Sequence, residues 1–132
     1  MNKKKLVFLL MVLCLMFTIS LTGCANNSYS HDYSGAGKFC GGLASVEKDE
    51  KYGFIDITGN LVVPCEWDFA ASFEEELALV RKGDEKSGKW GFIDKTGKPV
   101  IPCEYDSASS FNDGLARVEK DGKWGFIDKS GK

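Results

Sequence analysis

One histidine, His31, stands among the 132 residues, and its surroundings supply no cysteine, second histidine or fixed carboxylate to make it a ligand or a base. The chain has no EF-hand spacing, no Cys/His metal cluster, no phosphate-binding glycine loop and no nucleophile–base motif, so neither metal nor cofactor is expected. It also lacks a basic face. Lysine alternates with glutamate or aspartate through every turn, and the formal net charge is −2, which excludes nucleic acid as a partner. Long apolar runs are absent except for one.

That run opens the chain. Lys3, Lys4 and Lys5 precede an almost unbroken apolar stretch, Leu6 to Thr18, which leads into Leu21-Thr22-Gly23-Cys24. The stretch is shorter than the roughly 20 apolar residues of a membrane-spanning helix. Charge, apolar run and small residues before a cysteine together resemble a bacterial lipobox, so residues 1–23 are expected to form a signal-peptide helix. The resemblance makes Cys24 the lipidated first residue of an exported protein. Acyl chains, at about 0.8 kcal/mol per buried CH₂, would hold it to the outer face of the cytoplasmic membrane, or to an outer membrane where one exists. Residues 25–38 are polar, without hydrophobic period, and are expected to be a flexible leash of about 20 Å. Without residues 1–23, three of the 17 basic residues are lost, leaving 14 against 19 acids, a net charge of −5.

Five cysteines include Cys14 in the leader and Cys24 at the lipobox, leaving Cys40, Cys65 and Cys103. Cys65 and Cys103 occupy the same place in Pro64-Cys65-Glu66-Trp67-Asp68 and Pro102-Cys103-Glu104-Tyr105-Asp106. A disulfide between them needs Cα atoms within about 7 Å. A small thiol filling the same packing slot in each copy also accounts for both.

The rest of the chain is one unit copied. Phe39 to Asp56, Phe73 to Asp94 and Phe111 to Asp128 each contain an aromatic, a Leu-Ala-x-Val segment, a charged turn and aromatic-Gly-Phe-Ile-Asp. Alternation places Ala44 and Val46, Ala78 and Val80, and Ala116 and Val118 on a core face, with Ser45, Leu79 and Arg117 opposite them. Asp121-Gly122 is a tight hairpin signal. The glycine in each aromatic-Gly pair marks a bulge or a close approach, for which a neighbouring aromatic ring is the obvious cause. A turn capped by Asp and Thr follows, then a third strand closed by Pro64 or Pro102, which belongs at an end or an edge. The expected fold is all-β: an open array of antiparallel three-stranded hairpin repeats over residues 39–132, divided at about 39–72, 73–110 and 111–132, with the last incomplete. Its last hairpin should leave an unpaired edge.

The string from Phe111 to Asp128, with Ile101-Pro102-Cys103-Glu104-Tyr105-Asp106 before it, resembles the bacterial WG-repeat (KWG) family. The resemblance implies β-rich repeats without a shared enzymatic activity. Tyr52 departs from it by replacing the signature tryptophan, Cys40-Gly41-Gly42 is irregular, and the second copy carries an insertion within Arg81 to Lys89.

Glu66, Asp68, Glu104 and Asp106, or Asp56, Asp94 and Asp128, might be drawn as acid–base or metal-binding sets, but each is locked to the repeat, whereas catalysis needs one asymmetric constellation. The chain is therefore not expected to be an enzyme. It is expected to be a lipid-anchored interaction module whose partner is another envelope protein or a cell-wall component. The competing expectation is a truncated or purely structural repeat. Contacts should involve residues that vary between copies: Trp67, Leu79, Arg117 and the inserted Asp84, Glu85 and Lys86.

Overall fold

The computed structural model describes residues 32–132; the leader, Cys24 and His31 lie outside them. The strands are β1 (Gly35–Ala36), β2 (Leu43–Lys48), β3 (Lys51–Asp56), β4 (Leu61–Trp67), β5 (Phe69–Glu74), β6 (Leu77–Lys82), β7 (Lys89–Ile93), β8 (Pro99–Tyr105), β9 (Ser107–Ala108), β10 (Leu115–Lys120) and β11 (Lys123–Asp128). They form three antiparallel sheets: β1-β2-β3-β4, β5-β6-β7-β8 and β9-β10-β11. The expected all-β open array is present, and among the described residues no sheet closes on itself.

Each sheet also has a strand ahead of the expected three-stranded unit. Residues on both sides of the expected division at 72 and 73 form one strand against β6: Phe69 pairs with Arg81, Ala70 with Val80 and Phe73 with Ala78. The sheet boundaries therefore fall at Asp68 and Asp106 instead of near 72 and 110. Part of the expected leash is likewise a strand. Gly35 and Ala36 pair with Glu47 and Val46, and the Ser34 and Gly37 amides donate to the Glu47 and Ser45 carbonyls at 2.9 and 2.8 Å. Backbone hydrogen bonds hold this strand, which is why hydropathy gives no sign of it.

Turn chemistry repeats with the sheets. Gly41-Gly42, Glu75-Glu76 and Asp113-Gly114 all have positive φ at both positions, the geometry of two-residue hairpin turns. Cys40-Gly41-Gly42 is thus a regular turn of the repeat. After β3, the Asp56 carboxylate accepts from the Thr58 amide at 2.8 Å, the Thr58 hydroxyl at 2.6 Å and the Asn60 amide at 3.0 Å. Asp94 and Asp128 repeat the arrangement.

The sheets stack face to face. Leu43, Phe54, Val63 and Trp67 of the first sheet pack on Ala70, Phe73, Ala78, Val80 and Ile93 of the second. The opposite face of the second sheet, Leu77, Leu79, Phe92, Ile101 and Tyr105, packs on Phe111, Ala116, Val118 and Ile127 around the third. A core is therefore made between neighbours, and both faces of the second sheet are buried. Phe54, Phe92 and Ile93 have no exposed surface, and burial of each such side chain contributes about 1.5–3 kcal/mol.

Cys65 and Cys103 are free and half-buried, and burial pushes both thiols above their ordinary value. The repeated packing slot therefore accounts for them. Cys40 is disulfide-bonded.

Candidate interaction surface

The chain passes from one sheet to the next through Asp68 and Asp106, and both are tied on two sides. Asp68 pairs with Lys51 of the first sheet and accepts from the Gly83 amide of the second at 2.9 Å. Asp106 pairs with Lys89 of the second and accepts from the Asp121 amide of the third at 2.8 Å. The lysine and then the amide hold each carboxyl below its ordinary value. These acids fasten neighbouring sheets together at their crossovers, a role that every copy needs.

The third sheet breaks the pattern. Its outward face carries Leu115, Arg117, Trp124 and Phe126, at positions matching Leu77, Leu79, Trp90 and Phe92 of the second sheet. Leu77, Leu79 and Phe92 are buried under the third sheet, whereas Leu115, Trp124 and Phe126 are 49%, 53% and 68% exposed. Three large apolar side chains together on a surface mark a contact site, where scattered ones do not. The Arg117 guanidinium lies 4.6 Å from the Trp124 ring centroid, within reach of a cation–π attraction. β11 is also an edge: β3 and β7 each have partners on both sides, but among the described residues β11 pairs only with β10.

The structure separates the contact residues expected from the sequence. Trp67 is buried between the first two sheets and Leu79 between the second and third, so the second sheet stands between them and they form no patch. Leu79 was expected on a solvated face because alternation normally leaves one face of a strand wet; here the stacking covers both. Asp84, Glu85 and Lys86 are exposed in the β6–β7 turn, where Asp84 accepts from the Lys86 and Ser87 amides at 2.9 and 2.7 Å. That turn is closed on itself by its own hydrogen bonds. Only Arg117 lies on the outward face. Leu115, Trp124 and Phe126 went unnamed because they repeat the pattern, which by itself does not distinguish the covered copies from the uncovered one.

The glycine of each aromatic-Gly pair has a backbone cause. A Cβ on Gly53 would lie 2.4 Å from the Val63 carbonyl oxygen, and one on Gly91 would lie 2.6 Å from that of Ile101. Opposite these glycines the pairing shifts register as Pro64 or Pro102 bulges toward them. The bulged outer strand, not an aromatic ring, occupies the space. A model of the WG containing repeat matches residues 52–85 and 90–124. The chain belongs to the WG-repeat family. No curated protein and no solved structure matches it. Each matched WG repeat begins at the third strand of one sheet and extends past the second strand of the next. The unit of sequence thus straddles two sheets, so each repeat carries both sides of an inter-sheet core.

Proposed function

We propose that this WG-repeat chain is an exported, non-catalytic interaction module, tethered by lipid at Cys24 and presenting the outward face of its third sheet to another component of the cell envelope. The observation that carries the reading is the joint exposure of Leu115, Trp124 and Phe126 where the two preceding sheets bury the matching face. The leader pattern supports the tether. Pairing with β2 takes residues 35–36 out of the expected leash. The repeated acids support a role without catalysis, since Asp56, Asp68, Asp94, Asp106 and Asp128 hold turns and crossovers.

The test uses the full chain expressed in a bacterium. Labelled fatty acid should enter the wild type and not Cys24→Ala, and the variant should leave the membrane fraction. A photo-crosslinker at position 126 should give a discrete envelope adduct, and one at the exposed position 62 should not. Because one sulfur cannot hold both a thioether and a disulfide, a Cys24 found oxidised to Cys40 and free of lipid would overturn the tether. Equal adducts at both positions, or none at 126, would overturn the contact face.

A further inference from the structure

The outer face of the first sheet is closed although no described sheet lies on it. The second and third sheets turn Ala78, Val80 and Ile93, and Ala116, Val118 and Ile127, toward the sheet before them. The matching residues of the first sheet are Ala44, Val46 and Ile55, and among the described residues no sheet precedes them. They are nevertheless 2%, 1% and 2% exposed. Phe39, which opens its copy as Phe73 and Phe111 open theirs, is 3% exposed.

Two side chains on this face show what kind of layer closes it. Tyr33 and Ile57 both pack against the cluster, beside Cys65. Ile57 stands where the later copies have Lys95 and Lys129, a position that reaches toward the layer before it. Lys129 pairs with Glu75 of the second sheet at 3.3 Å, and a Cβ on Gly41 of the first would lie 3.3 Å from the Lys95 Nζ. An isoleucine at that position suits an apolar layer, where the lysines suit charged turns. Tyr33 comes from the segment that leads into β1. Tyr29 is four residues ahead of it, and along an extended chain residues at even spacing share a face, so the two rings point the same way. Gly35 pairs with Glu47 near the β2–β3 turn, and Phe39 lies toward the other end of β2 beside the Cys40–Leu43 bridge. Four extended residues span about 13 Å, enough to carry the Tyr29 ring from the Tyr33 end of the face to Phe39.

We infer that Tyr29 to Tyr33 lies extended across the outer face of the first sheet as its cap, with the Tyr29 ring against Phe39. That contact repeats the one that Phe54 makes with Phe73 and Phe92 with Phe111. The occupant is the chain's own lead-in segment, whose two tyrosines bring the apolar surface that each later copy receives from the sheet before it. Residues 29–33 then belong to the folded domain and not to the leash.

Cys65 reports on the cap. Its free thiol is half-buried in this face, whereas Cys103 packs on the core between the first two sheets. The full chain is treated with a thiol reagent under native conditions, and labelling at each cysteine is read by peptide mass spectrometry. Tyr29→Ala should label at Cys65 at least about fivefold faster than the wild type, through local opening of the face, with Cys103 unchanged. Tyr29→Phe keeps the ring and should label like the wild type. An unchanged Cys65 rate in Tyr29→Ala would overturn the inference. If Tyr29→Ala unfolds the chain and exposes both thiols alike, a photo-crosslinker at position 29 decides: an intramolecular adduct within residues 39–57 supports the cap, and its absence overturns it. Faster Cys65 labelling on removal of residues 1–23, with Tyr29→Ala neutral, would give the face to the leader and overturn it too. Neither readout depends on lipid at Cys24 or on an adduct at position 126, so failure here leaves the interaction-module reading standing.

Discussion

The rings of Phe54 and Phe73 meet edge-on across the first two sheets, with centroids 4.7 Å apart and planes at 61°. The same contact recurs between Phe92 and Phe111 across the second and third, at 4.8 Å and 59°. One ring comes from the strand after the hairpin turn of one copy and the other from the segment that opens the next. This pair explains why the copies hold together: each carries an aromatic for the neighbour on either side.

Phe126, next in the series, has no following ring and is 68% exposed. Phe92→Ala is therefore expected to destabilise the protein by about 3–5 kcal/mol, whereas Phe126→Ala should change it by no more than about 0.5 kcal/mol. Urea unfolding of the two variants measures the contrast. Similar losses would mean that the outward face is covered in solution.

Gly91 should resist replacement. Alanine there places a Cβ 2.6 Å from the Ile101 carbonyl oxygen and 2.7 Å from the Cys103 amide nitrogen, so β8 must shift or leave the sheet. A loss of about 1–3 kcal/mol is expected. Thermal denaturation reads the change, and a neutral Gly91→Ala would refute the bulge as the reason for the glycine.

Glu76 adopts φ 76 in the β5–β6 turn, a conformation that glycine takes without a steric cost. Glu76→Gly gives up the ion pair with Lys95 at 2.8 Å, which is exposed and contributes at most about 1 kcal/mol. Relief of the left-handed backbone is worth about 1–2 kcal/mol. The expected outcome is a small net gain, and a melting temperature a few degrees higher would show it.

Acid should loosen the turns and crossovers. The Thr58, Thr96 and Ser130 hydroxyls hold Asp56, Asp94 and Asp128 below their ordinary 3.8, aided by backbone amides. Lys51 and Lys89 do the same for Asp68 and Asp106. Carboxyls lowered on folding contribute stability that is present above their unfolded value and lost as pH falls through the folded value. Lys89, raised from 10.5 by Asp106, contributes below that value and loses its part only as pH rises through its folded value. The urea midpoint should stay level from about pH 5 to 9 and fall below about pH 4. A midpoint that rises on acidification would contradict these assignments.

Alternation of Ala and Val with polar neighbours, the Asp-Gly turn and the recurring aromatic-Gly pair are local signals, and they fixed the hairpins and their copying because strand period and turn geometry depend on adjacent residues. The edge position of Pro64 and Pro102 was legible because proline has no amide to donate, but neither closes its strand as expected: β4 runs on to Trp67 and β8 to Tyr105, the bulge at the proline carrying the pairing past it. The first strand of each sheet was not legible. Phe69–Glu74 and Gly35–Ala36 become strands through backbone bonds to residues far along the chain, and their side chains carry little pattern. Burial of Leu79 and Trp67 also escaped the sequence, because alternation distinguishes the two faces of a strand without showing whether a second sheet lies on the other side. Stacking of whole sheets decided that, and it left Leu115, Trp124, Phe126 and the edge of β11 as the places where the repeated packing finds no neighbour.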